Sequence, residues 1–317
     1  MSGTTTYIER TPHIPADAAS PKLKHNETLT LNLESGRTLG YATYGSTLPS
    51  APTIFLLHGM PGSRICGRSF HDACLKVGAR LITIDRPGCG NSTFAPRTLI
   101  QWPEDVLALA DHLEIDTFSI VGASSGAPFA LACARYLPAT RLLRTILVCG
   151  IGPVESLGWI PWALMRVAPW AIRLFAVHFL LPRLLGPYID KNAEQLKDLI
   201  ESQCTTLEEK EQVATEEGQK GLDDTVLQYV EAFKQGRQGP MHDGLLLSSG
   251  WGFRVEDING DRVRVIHGDQ DTHAPLSMAK WVDGKLGGGR LQVLEGVTHF
   301  TIWKKCGEEV FSWAAGK

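Results

Sequence analysis

Three residue types able to carry out acyl transfer stand in the order and setting that such chemistry needs. Gly122-Ala123-Ser124-Ser125-Gly126 fits GxSxG; it comes directly after the apolar run TFSIV and precedes APFALACARYL, a helix-forming stretch. A serine at a sharp strand-to-helix turn is held in a strained backbone conformation, and the residues two before and two after it must be small for the turn to close. Gly122 and Gly126 satisfy that requirement and centre the motif on Ser124 rather than Ser125. A serine hydroxyl is a poor nucleophile at neutral pH until a histidine takes its proton and a carboxylate fixes that histidine's tautomer. Downstream, RVRVIHGDQDTHAP offers Asp269 and Asp271, and RLQVLEGVTHF offers His299. Taken singly, an aspartate after a strand is a turn former and a lone histidine an ordinary polar residue. Together, at successive strand ends after the serine, they keep the chain order that GxSxG turns use. An oxyanion needs backbone donors where its charge develops. His58-Gly59-Met60-Pro61-Gly62 comes after the strand-like run PTIFLL, and because Pro61 has no N–H, Met60 is the expected donor, with the N–H of Ser125 as the second.

These residues need a rigid frame. Continuous apolar runs recur at 52–59, 79–88, 117–124, 143–150, 262–269 and, more weakly, 290–296, the pattern of strands buried on both faces of a parallel sheet. An antiparallel hairpin is expected before them, where ETLTLNLESG and RTLGYATYGS alternate around Ser-Gly. Helical patterns lie between the runs. WPEDVLALADHLEI, for example, opens with Pro103, Glu104 and Asp105, all favourable in a first helical turn. Strand and helix in alternation predict a doubly covered, mostly parallel α/β sheet. The alternation breaks over residues 152–250, a predominantly helical insertion expected to lie as a cap over the sheet's C-terminal edge, where open α/β sheets bind ligands. The core is then 27–151 with 251–317, and residues 1–26 form a polar arm. Within the insertion the acidic run Glu208 to Glu217 is expected to be a solvated helix face.

The sequence resembles the α/β hydrolase superfamily, in its branch with a helical cap between strands six and seven. The resemblance is carried by HGMPGSR (58–64), IDRPGCGNS (84–92), VGASSGAPFALA (121–132), IHGDQDTHAP (266–275) and GVTHF (296–300). It implies Ser124 as nucleophile and His299 as base. It also implies Asp271, not Asp269, as the acid, since the family's GxxDxxxP falls on Gly268, Asp271 and Pro275. Asp85 and Arg86 match a loop that supports the serine turn, which implies a structural role, and Thr298 and Thr301 bear on pocket shape.

Composition narrows the partners. The 317 residues are 43% apolar and 21% charged, which excludes disorder of the whole chain. A net charge of −3 provides no global cationic surface for nucleic acid. Seven cysteines occur with no CxxC pair and no Cys/His spacing suited to zinc, so reduced thiols, no metal and no cofactor are expected. No basic-then-apolar leader precedes the first strand, and the expected compartment is the cytoplasm. The apolar stretch from Trp159 to Leu181 contains Arg166, Arg173, Pro161 and Pro169, which argues against a membrane-spanning helix while leaving a lipid-touching surface open.

The function expected from these features is a cofactor-independent serine hydrolase, esterase-like, acting on an ester or related acyl bond of a small, largely apolar molecule. Trp159, Trp162 and Met165, with Trp170 and Phe175, are the candidates for the cap's apolar contact with it. The alternatives use the same residues: a carbon–carbon bond hydrolase, a lyase or an acyltransferase, or a non-catalytic small-molecule receptor of the same fold.

Overall fold

The computed structural model describes residues 22–189 and 191–317. Residues 1–21 of the expected arm therefore lie outside the described residues. The end of the arm nearest the sheet is docked: Asn26 Nδ2 donates to Thr43 O at 2.6 Å. Eight strands form one sheet: β1 (Leu29–Asn32), β2 (Thr38–Gly45), β3 (Thr53–Leu57), β4 (Arg80–Ile84), β5 (Phe118–Ala123), β6 (Leu142–Val148), β7 (Val263–Gly268) and β8 (Leu291–Leu294). Their spatial order is β1-β2-β4-β3-β5-β6-β7-β8. β1 and β2 pair antiparallel, as do β2 and β4, and every later pairing is parallel. All eight fall on the runs expected from the sequence.

Alternation within the central strands explains the two layers of core. In β3, Phe55 and Leu57 point to one face, where they meet Ile82, Ile120 and the apolar sides of the helices Trp102–His112 and Ala127–Tyr136. Ile54 and Leu56 point to the other, against Leu81, Val121 and the helix Ile302–Ala314 through Val310 and Phe311. Each of these side chains is at most 1% exposed, and fully burying one contributes about 1.5–3 kcal/mol. The edge strands β1 and β8 lack that all-round burial. From β3 the chain crosses to β4 on one side and then to β5 on the other. The strand order thus reverses at β3 and β5, and in open α/β sheets ligands bind outside the C-terminal strand ends at such a point.

Between β6 and β7 the described chain has no strand. Short helices occupy it, from Trp159–Val167 and Pro169–Phe175 through a π turn (Ala176–Leu180) and Leu181–Leu185 to Ala193–Ser202, Leu207–Val213, Glu216–Ala232 and Gln238–Leu247. Buried ion pairs join the later helices to the sheet loops. Arg64 reaches Asp85 at 2.9 Å and Glu231 at 2.8 Å, Arg68 reaches Asp224 at 3.0 Å, and Arg86 reaches Asp243 at 2.6 Å.

Candidate active site

Ser124 directly follows β5 with φ = +52°, a left-handed conformation that costs a non-glycine residue energy and persists only where its surroundings over-determine it. The surroundings here are two close approaches. A Cβ on Gly122 would lie 2.7 Å from Ala130 Cβ, and one on Gly126 would enter the carbonyl of Leu57. Neither position tolerates a side chain, and with glycine at both a single 3-10 turn, Ser124–Gly126, joins the strand to the helix Ala127–Tyr136. Ser124 Oγ has no hydrogen-bond partner among the described residues. The β3 loop runs beside it: a Cβ on Gly59 would sit 3.4 Å from Ser124 Cβ and 3.8 Å from its Oγ.

Two and three strands further along the sheet, the loop after β7 holds Asp271 and the loop after β8 holds His299. His299 Nδ1 and Asp271 Oδ2 are 2.7 Å apart, the carboxylate fully buried and the imidazole 16% exposed. Asp271 Oδ1 accepts the N–H groups of His273 and Ala274, each at 2.8 Å. Burial alone would raise this carboxyl, but the bond to His299, its charge, the Ala274 N–H and the Cys149 thiol reverse the effect and hold it at about 2. Asp271 is therefore ionised at any ordinary pH. It accepts His299 Nδ1–H, which leaves Nε2 as the basic nitrogen. Asp269 instead accepts from the N–H of Gly296 at 2.8 Å and does not meet His299.

Arg86, 1% exposed, organises the loop beside the serine. Its Nη1 donates to His58 O at 2.5 Å and its Nη2 to Gly59 O at 3.0 Å, while Nε pairs with Asp243. Asp85 accepts from the N–H groups of Arg64 at 2.7 Å and Asn91 at 2.8 Å. His58 is buried, and burial together with the Arg86 charge drives its pKa far down. The neutral ring accepts the Arg86 N–H at Nε2 and bonds Gly59 O through Nδ1. Among the described residues, neither Met60 N–H nor Ser125 N–H has an acceptor.

Three neighbours escaped the sequence reading. Cys149 takes φ = +47° after β6 and places its Sγ within 4.8 Å of ligand atoms of both Asp271 and His299. Burial and the adjacent carboxylate push this thiol far above its usual range, so the protonated thiol is a hydrogen-bond donor to Asp271. His273 stacks on His299 with centroids 5.2 Å apart. Glu209, inside the acidic run expected to be solvated, is 4% exposed: its Oε1 accepts from Thr298 Oγ1 at 2.6 Å and its Oε2 from the N–H groups of Thr205 and Thr206. The expectation holds for the exposed Glu211, Glu216 and Glu217 and fails at Glu209, because a long-range partner from the histidine loop takes its charge. Of the apolar candidates, Trp159 is 77% exposed, Trp170 and Phe175 are also exposed, Met165 is half-buried, and the side chain of Trp162 lies outside the described residues.

Residues 54–312 match the model of the alpha/beta hydrolase family. The chain belongs to that family. It is 31% identical over 114 residues to the uncharacterized hydrolase YcgS of Bacillus subtilis (strain 168), a match over 35% of this chain and 37% of that protein. Solved structures with a similar fold include a hydrolase from Pseudomonas aeruginosa PA01, at 18% identity and TM-score 0.64 over 93% of this chain and all of that one. The enol-lactonase from Burkholderia xenovorans LB400 has the same identity and TM-score over 91% of this chain and 100% of its own. Bromoperoxidase from Bacillus anthracis is similar at 17% and 0.60, covering 89% and 95%. No single helix among the described residues is long and apolar enough to cross a membrane.

Proposed function

We propose that the protein is a serine hydrolase that cleaves an ester or related acyl bond of a small, largely apolar molecule through an acyl-enzyme. The observation that carries this reading is the 2.7 Å pair of a buried aspartate and a histidine, on the same sheet edge as a serine forced into a left-handed turn. His299 Nε2 takes the proton of Ser124 Oγ as that oxygen bonds to the carbonyl carbon. Asp271 stabilises the imidazolium that results. The N–H groups of Met60 and Ser125 receive the developing oxyanion, a contribution worth about 100 to 1,000-fold in rate per donor. His299 then returns its proton to the leaving oxygen, the alcohol departs, and water, deprotonated by the same nitrogen, releases the acid and regenerates Ser124. Arg86 holds the carbonyls of His58 and Gly59, and with them the orientation of the Met60 amide. Helices 152–250 serve as the cap, with Trp159, Trp162 and Met165 meeting the apolar end of the substrate.

The test is labelling with a fluorophosphonate probe, the adduct mapped by peptide mass, beside turnover of a small aryl ester. A single adduct on Ser124 is expected, and Ser124→Ala should lose turnover by about 10⁶-fold while keeping its melting temperature. Ester hydrolysis retained in that variant would refute the mechanism.

A further inference from the structure

The chain from Pro169 to Leu185 breaks the rule that a surface helix turns polar residues to water. It presents one face to the protein: Ala176, Leu181 and Leu185 are at most 2% exposed, and Leu181 packs against Gly244. The opposite face is apolar as well. Trp170, Leu174, Phe175, Phe179 and Leu184 are 49–65% exposed, and the rings of Phe175 and Phe179 stack on each other at 5.8 Å. Contiguous exposed aromatic and aliphatic side chains of this kind mark a binding surface rather than chance.

Charge and shape select the occupant. Residues 169–189 contain two arginines, Arg173 and Arg183, and no aspartate or glutamate; both are exposed. A second copy of the chain using the same patch would set arginines against arginines across a two-fold axis. The phosphates of an anionic bilayer complement them, and tryptophan is favoured at the headgroup level. The two apolar helical stretches are bent by 111° at Ala168, so neither continues far enough to span, and exposed aromatic side chains beside exposed arginines are the combination that seats a helix in the interface plane.

We infer that the Pro169–Leu185 face is a docking surface for anionic phospholipid, with Trp170, Phe175 and Phe179 entering the headgroup and acyl boundary and Arg173 and Arg183 pairing with phosphates. This does not depend on the hydrolase reading. Co-sedimentation of the full chain with phosphatidylcholine vesicles, with and without phosphatidylserine, tests it. Binding is expected to the mixed vesicles and to weaken with added salt. Arg173→Glu with Arg183→Glu should lower the partition by about thirtyfold or more, from the contribution of each basic residue near an anionic surface. Trp170→Ser with Phe179→Ser should abolish it, circular dichroism and melting confirming that each variant is folded. Absence of wild-type binding, or equal binding to neutral vesicles, overturns the inference. So does a concentration-dependent dimer, by light scattering, that Trp170→Ser with Phe179→Ser dissolves, because it assigns the face to a second copy.

Discussion

The two halves of the chain between β6 and β7 meet the rest of the protein by different physics. In the later half, capped helices present polar outer faces: Asn192, Thr206 and Thr215 each accept a first-turn N–H. Helix Ala193–Ser202 turns Leu196 and Ile200 inward and leaves Glu194, Asp198 and Glu201 in water. Its neighbours send Asp224, Glu231 and Asp243 to three arginines of the sheet loops. The earlier half is anchored by the buried apolar side chains of Ala176, Leu181 and Leu185 and exposes apolar side chains on its far face. Directional, desolvated charge pairs fix one arrangement, because any displacement strands a charge. Dispersion and burial are non-directional and tolerate sliding. The lesson is that the later helices belong to the site's scaffold, while the earlier ones are a surface.

That contrast can be broken experimentally. Asp243→Ala leaves the Arg86 guanidinium buried without a counter-charge, against the carbonyls of His58 and Gly59, the Ser125 hydroxyl and the Phe129 ring, and should cost about 3–5 kcal/mol in urea unfolding and also slow ester turnover. Recovery of stability, but not of turnover, in Arg86→Met with Asp243→Leu would separate the two roles. Glu209→Ala should cost about 1.5–3 kcal/mol, as loss of hydrogen bonds to a charged group. Burial would raise the Glu209 carboxyl, but the donors from Thr206, Thr298 and Thr205 hold it below its usual value. A lowered acid contributes stability that is present above its unfolded pKa, about 4.3, and is lost as pH falls below that. The wild type should therefore lose stability on acidification in that range, and Glu209→Ala should lose less. At the small end, Trp170→Ser with Phe179→Ser should shift the unfolding midpoint by the equivalent of no more than about 0.5 kcal/mol per position, as exposed sites do. A loss of several kcal/mol there would mean that the earlier half is core, and the comparison would fail.

How much was legible in the sequence divides along the same line. β3 to β7 are continuous apolar runs because both their faces are covered, and the pattern reads directly. The serine turn was legible because Gly122 and Gly126 are demanded by contacts within a few residues or with the adjacent strand. Glu209 was not, since its burial depends on Thr298, 89 residues away, and in the chain it stands among other acids that do face water. Cys149 looks like any buried thiol until its φ and its approach to Asp271 and His299 are known. Periodicity failed on Pro169–Leu185 for a different reason: a stretch apolar on every side carries no information about which side faces inward.

The pairing of Arg86 with Asp243, 157 residues further along, bears on how the protein is made. A ribosome delivers Ser124, Met60 and Arg86 long before Asp243, so the loop beside the serine waits, its guanidinium without a counter-charge, until the inserted helices have emerged. His299 comes later still. Under the proposed mechanism, a chain released early is thus reactively silent, with a serine but neither the base assigned to it nor the carboxylate that pairs with Arg86.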